Sequence, residues 1–532
     1  MSGNIFKSLA TVSGMTMASR VLGFVRQIFM AGVIGAGGNP VADAFWAAFR
    51  LPNMFRRLFA EGAFHAAFIP MFQGRRADGG AAEAKAFAEE VLAGLIFILT
   101  ILTGLVEIAA PVFVYLLASG FGDDAEKFQL TTFYTRIMFP YLMMMSLVGL
   151  YSGILNSVGR FAAAAAAPLA LNVFMIGALL LYGDSDTHIA GEAISWGVAA
   201  GGLAQVLIVL FGAWRQGYLL KLRLPRMTPA MKRLLALGAP GFISAGAVQI
   251  NLIVGTNIAS QEPGAVSWLM NADQLYQLPL SVIGIALGVV LLPMLSARVK
   301  AGDEKGAARA LNRSLELSAL LAVPAAAAFV VMGEPLCDAL FRGLAGDALG
   351  AVGVRGSAFN AEDVRQTGFA LAVFGAGLPA FVWLKIFAPA FFAREDTRTP
   401  MNYALISIGV NAAMSLALFP FIGFIAVAAA TSFAAWLQTV LLGLRLYRLH
   451  LFRPSAALIG RFMRILLAAG LMTAFLVFSL SRTDVMAEWV WGREWIVVVG
   501  LSAVGGALYG VLALALGAAR LADYKTGPGG KN

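Results

Sequence analysis

Charge is scarce in this 532-residue chain: Asp, Glu, Lys and Arg make up only 13% of it, while 59% is hydrophobic. Soluble globular chains carry about 25% charged residues, and the mean hydropathy here is +0.79. A lipid bilayer is therefore the expected solvent. Cysteine is nearly absent, and Cys337 alone excludes an internal disulfide framework or a multi-thiolate metal site. His65, His188 and His450 lie too far apart for a zinc motif, so no metal is expected. No Walker-type Gly-rich phosphate loop occurs, which argues against ATP hydrolysis by the chain itself. Acid, base and nucleophilic side chains form no convincing cluster, which points to a transporter rather than an enzyme. The net charge of +10 would suggest nucleic acid in a soluble protein; its placement assigns it to membrane topology instead.

Long apolar stretches are what the chain has in abundance. A span needs about 20 residues to cross a hydrocarbon core roughly 30 Å thick. The pattern predicts about fourteen such helices, near 9–36, 42–73, 88–118, 129–156, 163–183, 189–213, 232–259, 265–296, 310–333, 366–393, 401–420, 422–447, 457–480 and 495–519. The first holds Arg20 and Arg26 and lacks a cleavage site, so it is expected to be retained rather than removed as a signal. Alternate loops gather bases such as Arg75, Arg76, Arg160, Arg215, Lys221, Arg223, Arg226, Arg298, Arg394 and Arg453. The opposite loops are acidic or neutral, with few bases such as Lys127 and Arg342. By the positive-inside rule the basic loops and both termini are cytoplasmic in a multi-pass protein. The inner loop 214–231 reads as a basic amphipathic segment lying on anionic headgroups, with a plain topogenic role as the alternative. The long outer loop 334–365 has room for a short surface helix.

The two halves echo each other. Ala42-Asp43, Leu51-Pro52 and Pro70-Met71 return as Ala272-Asp273, Leu278-Pro279 and Pro293-Met294, and Pro168 and Gln205 return as Pro400 and Gln438. Chance matching among apolar residues is the competing explanation, and the shared spacing weighs against it. The expected architecture is all-α: two pseudo-symmetric six-helix lobes at 1–230 and 231–450, then two further helices and a tail at 451–532. Six is even, so the lobes enter the membrane in the same sense, as in parallel-repeat transporters that work by alternating access.

Charge inside the predicted spans is concentrated early, in Arg20, Arg26, Asp43, Arg50, Arg56, Arg57 and Glu61. An ionised side chain at bilayer depth is expensive unless it faces protein or water, so each is a functional candidate. Asp43, Arg50 and Arg57 recur every seven residues, with Glu61 one turn further. Asp43 and Glu61 neutralise only part of the arginine charge. The remainder favours an anion, and the guanidinium fork suits a diphosphate. The alternatives are ion pairs that fix helix packing, or side chains that snorkel to the surface. Glu107 and Arg136 are expected to pair near the outer face.

The run Ser13-Gly14-Met15-Thr16-Met17-Ala18-Ser19-Arg20-Val21-Leu22-Gly23-Phe24-Val25-Arg26 resembles the MviN/MurJ family, as do Ala42-Asp43-Ala44-Phe45 and Leu51-Pro52-Asn53-Met54-Phe55-Arg56-Arg57-Leu58-Phe59-Ala60-Glu61-Gly62. Ser267-Trp268, Ala272-Asp273 and Leu291-Leu292-Pro293 extend the likeness into the second half. The resemblance implies a flippase that moves lipid II, the undecaprenyl-diphosphate-linked peptidoglycan precursor, across the bacterial plasma (inner) membrane. It implies a place in the superfamily of multidrug and lipid-linked oligosaccharide exporters, with the last two helices forming a groove for the lipid tail. Arg20, Arg26 and Arg56 would bind the diphosphate and sugar head; Asp43 and Glu61 would gate or balance the site, with Asn53 nearby. Some members carry Arg and Glu where this chain has Gln274 and Gln277, leaving Ser267 and Asp273 as second-lobe candidates. No cofactor is implied, and coupling to the membrane potential or to an ion stays open. Expected partners are lipid II, membrane lipids and the cell-wall synthesis machinery; export of another lipid-linked glycan or of drugs is the alternative function.

Overall fold

The computed structural model describes residues 2–37, 39–59, 63–354, 356–488, 490 and 492–519, and every regular element among them is a helix. In hydrocarbon a backbone has no water to bond with, so an apolar segment must satisfy its own N–H and C=O groups, which a helix does. In chain order the helices are α1 (Ser2–Ile34), α2 (Pro40–Phe59), α3 (Ala63–Leu117), α4 (Ala125–Met138), α5 (Tyr141–Ser157), α6 (Ala162–Tyr182), α7 (Thr187–Arg215), α8 (Pro229–Ala259) and α9 (Ala265–Lys300). There follow α10 (Glu304–Cys337), α11 (Ala345–Ala351), α12 (Ala361–Phe392), α13 (Arg398–Ile422), α14 (Ile425–Arg448), α15 (Ala456–Leu480), α16 (Thr483–Glu488) and α17 (Glu494–Ala515).

Among the described residues, 11 helical segments are long and apolar enough to cross a membrane. Three further long helices, α2, α8 and α9, fall outside that set. In α2 the cause is charge, since Asp43, Arg50, Arg56 and Arg57 share 20 residues. The boundary after α2 also differs from the sequence expectation of one helix over 42–73 and another over 88–118. Here α2 ends at Phe59 and α3 begins at Ala63 and runs on to Leu117, broken at Gly80. The break has φ 75°, a left-handed conformation that glycine adopts without a Cβ penalty. Beyond it, Ala81-Ala82-Glu83-Ala84-Lys85-Ala86 is a strong helix former, so a stretch expected as loop continues as helix. The stretch expected as a long loop at 334–365 carries a π-helical turn, Asp338–Leu344, followed by α11.

Packing divides the chain into two compact units, Met1–Ser267 with Ala345–Phe359, and Trp268–Leu344 with Asn360–Asn532. The first has an aromatic spine along α3, where Phe64 stacks on Phe68 at 5.4 Å and Phe68 on Phe87 at 5.8 Å between ring centroids. Its connector between α7 and α8 is not loose. Tyr218 and Leu220 are buried, and Glu89 on α3, itself buried, accepts from the Lys221 backbone N–H at 3.1 Å and pairs with Arg223 at 2.5 Å. Glu90 accepts from Thr228 Oγ1 at 2.9 Å, and Thr228 in turn caps the first turn of α8.

In the second unit α10 and α12 meet at two glycines. A Cβ on Gly333 would lie 2.4 Å from the Gly368 carbonyl oxygen, and one on Gly368 would lie 2.5 Å from the Glu334 Cα. Such close backbone approach is how helices gain packing energy where lipid removes the hydrophobic drive between them. The sequence sets the last two long helices outside the repeat; in the structure both pack on α10. Arg461 of α15 pairs with Glu316 of α10 at 2.7 Å, and Tyr509 of α17 donates to the Leu320 carbonyl at 2.8 Å.

Candidate functional site

Helix α2 enters through Asn39, whose side chain accepts from the Val41 N–H at 3.0 Å and donates to the Ile34 carbonyl at 3.0 Å. Pro40 follows at the first helical position, where its missing N–H costs nothing. One turn in stands Asp43, fully buried. Its carboxylate is surrounded by donors. Oδ2 accepts from the Gly264 N–H at 2.7 Å and pairs with Lys127 Nζ at 3.3 Å, while Oδ1 accepts from the Ser267 N–H at 2.9 Å and the Ser267 hydroxyl at 2.7 Å. Gly264 immediately precedes α9 and Ser267 lies in its first turn, where the first backbone N–H groups of a helix have no partner within it. An anion at that end is favoured by both the free donors and the helix dipole. Asp43 therefore acts as a cap supplied from another helix.

Lys127, which the sequence offers only as a minor base in an acidic loop, completes this cluster. It is buried, its backbone N–H is capped by Asp124 at 3.0 Å, and its ammonium lies 5.2 Å from the Phe121 ring centroid. Nothing in the local pattern pairs it with a carboxylate 84 positions away; the one available signal was a lysine among Asp123, Asp124 and Glu126. The cluster corrects the charge balance expected from sequence. Asp43 is neutralised by Lys127 and the α9 amides, so it is not the counter-ion of the α2 arginines.

Those arginines separate into different settings. Arg56 Nε donates to Asn53 Oδ1 at 3.2 Å, and Asn53 Nδ2 donates to the Phe49 carbonyl at 2.9 Å, so these two expected site residues do meet. Arg50 reaches Thr256 Oγ1 on α8. Arg26, partly buried, donates to Asn172 Oδ1 of α6 at 2.9 Å, and Asn172 is held by the Ser19 carbonyl at 3.0 Å. Arg26 Nε is buried with no partner among the described residues. Arg20 is exposed, and neither it, Arg26 nor Arg57 makes an ion pair among the described residues. Glu61 lies outside the described residues.

In the second unit Gln277 donates to the Asp273 carboxylate one turn away. A glutamate at 277 would set two acids face to face; the amide supplies a donor instead, which accounts physically for the glutamine in this chain. Gln274 is partly buried beside them. Tyr276 packs between Phe374 and Phe381, at 5.0 Å and 5.4 Å between ring centroids. Trp268 Nε1 donates to Asp363 at 2.8 Å, and Asp363 also completes the capping box with Asn360 at the start of α12. Neither Lys127 nor Asp363 was singled out from sequence. The expected ion pair between Glu107 and Arg136 is not formed among the described residues; Arg136 Nε donates instead to the Glu107 backbone carbonyl at 3.1 Å.

A family model described as lipid II flippase MurJ matches residues 30–500. A probable lipid II flippase MurJ of Rhizobium meliloti is 44% identical over 529 residues, covering 97% of this chain and 95% of the relative. One from Vibrio cholerae is 33% identical over 540 residues, covering 99% and 98%. A solved lipid II flippase MurJ in an inward closed conformation superposes with TM-score 0.75 at 22% identity, over 94% of this chain and 97% of that one. An inward-facing multidrug resistance transporter of the MATE family and MOP superfamily shares the fold at TM-score 0.64 and 14% identity, over 84% and 98%.

Proposed function

The chain belongs to the lipid II flippase family MurJ, and from that premise we propose that it carries lipid II from the cytoplasmic to the outer leaflet of the bacterial inner membrane by alternating access. Its substrate class is a lipid with a diphosphate-linked glycan head; it moves that lipid and breaks no bond in it, so it is a transporter and not an enzyme. Both termini lie in the cytoplasm, on the side of the basic loops. The lobes are 1–230 and 231–450, and 451–532 supplies the groove for the lipid tail.

One observation carries the assignment of the site: Asp43, the nearest described carboxylate to the arginines in sequence, is already committed to Lys127 and the α9 amides. Positive charge at Arg20, Arg26 and Arg57 is thus left without an acid among the described residues. A diphosphate supplies the missing negative charge, and Arg20, Arg26 and Arg56, with Asn53, hold it; Glu61 balances the site. Asp43 with Ser267 is the gate: the cluster must come apart before that end of the path opens. Asp273, Gln274 and Gln277 remain the second-lobe candidates: the two amides would donate to head oxygens, and the Asp273 carboxylate would accept from sugar hydroxyls or amide N–H groups. Cycling is driven by the membrane potential or an ion gradient, for which one charge across 100 mV supplies about 2.3 kcal/mol. The cell-wall synthesis machinery consumes the product outside.

The test is translocation of labelled lipid II in proteoliposomes. Arg20→Ala, Arg26→Ala and Arg56→Ala each lower the rate about tenfold or more, the loss of a charge-assisted contact, with insertion unchanged. Normal rates in stable, correctly inserted variants refute the site.

A further inference from the structure

The first unit holds a cavity of about 1230 Å³ whose described lining includes no α2 residue. It lies between the turn joining α5 to α6 and the last turns of α7. Leu155, Leu207 and Phe211 line it with hydrocarbon, and Arg160, Arg215 and Gln216 line it with polar groups. The cavity is thus amphiphilic, apolar in one part and cationic in another.

Its charge is unspent. Arg160 Nε donates to Gln216 Oε1 at 3.1 Å, and the Arg215 guanidinium sits 5.6 Å from the Phe211 ring centroid. Neither arginine is ion-paired with any described acid. Two guanidiniums in one cavity, with no carboxylate among its described lining residues, favour a phosphate, whose oxygens accept from both forks.

The depth is set by α7. Leu203, Leu207, Phe211 and Trp214, spaced along one helix face, are each more than half exposed. An exposed apolar stripe of this kind faces lipid tails, and a tryptophan at its end marks the headgroup level, where such rings concentrate. The arginines follow or flank that tryptophan at the basic end of the unit. A molecule filling the cavity therefore meets hydrocarbon beside Leu207 and cations at headgroup depth.

We propose that this cavity is a second lipid site, for a phosphate-bearing lipid of the leaflet on the basic-loop side, separate from the α2 arginines. The shared chemistry is a phosphate on Arg160 and Arg215 with a hydrocarbon chain along Leu155, Leu207 and Phe211. Two sources fit it: an anionic phospholipid of the surrounding bilayer, or a polyprenyl phosphate.

The experiment uses the full chain, delipidated in detergent, with lipid retention read by native mass spectrometry; because retention is measured without transport, its outcome is independent of the flippase assignment. Phosphatidylglycerol, undecaprenyl phosphate and phosphatidylcholine are the probes. Retention of phosphatidylglycerol falls about tenfold or more in Arg160→Gln/Arg215→Gln, a loss of two charge-assisted contacts, and is largely kept in Arg160→Lys/Arg215→Lys. Both side chains are exposed, so the glutamine variant keeps the parental elution and thermal profile. Displacement of phosphatidylglycerol by equimolar undecaprenyl phosphate identifies the polyprenyl source, and its failure identifies the bilayer phospholipid. The proposal is overturned if the glutamine variant retains the probes normally, if Arg445→Gln/Arg448→Gln at the end of α14 loses them equally, or if phosphatidylcholine is held as well as phosphatidylglycerol.

Discussion

Replacing Asp43 with asparagine keeps the size of the side chain and removes its charge. One amide oxygen can still accept from the Ser267 N–H and hydroxyl, now at 2.9 Å and 2.7 Å. The other position becomes an NH2 group facing two donors, the Gly264 N–H and the Lys127 ammonium, at 2.7 Å and 3.3 Å. Lys127 is then a buried cation with no anion, and breaking a buried pair from one side costs about 3–5 kcal/mol. At about 1.4 kcal/mol per factor of ten, a conformer held by this cluster loses about two to three and a half orders of magnitude in relative population. Lys127→Met removes the stranded charge. In the double variant Asp43→Asn/Lys127→Met the penalty should fall below the sum of the two single penalties by about 1–3 kcal/mol, the coupling expected of residues in contact. Equilibrium unfolding in mixed micelles measures the energies. Maleimide labelling of Ser267→Cys measures the opening, with low background because the native Cys337 is buried. Strict additivity within about 0.5 kcal/mol, or an introduced thiol that reacts no faster once Asp43 is asparagine, would falsify the account of Asp43 as a cap shared between helices.

Glu89→Gln removes the anion that holds Arg223 and should release the connector, seen as faster tryptic cleavage after Lys221, Arg223 and Arg226; unchanged cleavage refutes the tie. Gly368→Val forces a side chain into backbone 2.5 Å away and should destabilise the second unit by about 1–3 kcal/mol or more, read by unfolding in detergent. Asp396, in the turn before α13, is held below its usual carboxylate range, chiefly by the Thr399 backbone N–H and then by the Thr399 side chain. A depressed carboxylate pKa gives stability that is full above the unfolded value, about 3.9, and lost as pH falls through the folded value. Melting curves of wild type and Asp396→Asn should therefore differ at neutral pH and converge in acid; a constant gap refutes the contribution of the ionised form.

Helices were legible in the sequence because hydrocarbon allows an apolar run few other structures. Most span boundaries from Ala125 onward fall near those expected from hydropathy. The exception after α2 arose where hydropathy is silent: a Gly79-Gly80 turn in an alanine-rich stretch decides the path by backbone conformation, not by polarity. Charged side chains were legible as candidates and illegible as pairs. Helical spacing put Asp43 with Arg50 and Arg57, but its partners come from α4 and the start of α9, which no period within α2 encodes. Asn53 with Arg56, and Asp273 with Gln277, are one turn apart and so lay within reach of spacing arguments. Glu89 was overlooked for the opposite reason, since an acid in an amphipathic stretch reads as solvated surface until a distant basic segment folds over it.

The fastening of Thr228 to Glu90 has a mechanical corollary. It moors the first turn of α8 to α3, so any swing of α8 has its fulcrum there and its largest travel at the opposite tip. Thr256 lies about 42 Å along the axis from that mooring at 1.5 Å per residue, and a tilt of roughly 5° would carry it nearly 4 Å. That sweep is enough to part Thr256 from Arg50, so a small rotation at the anchored end is converted into a make-or-break contact at the free one.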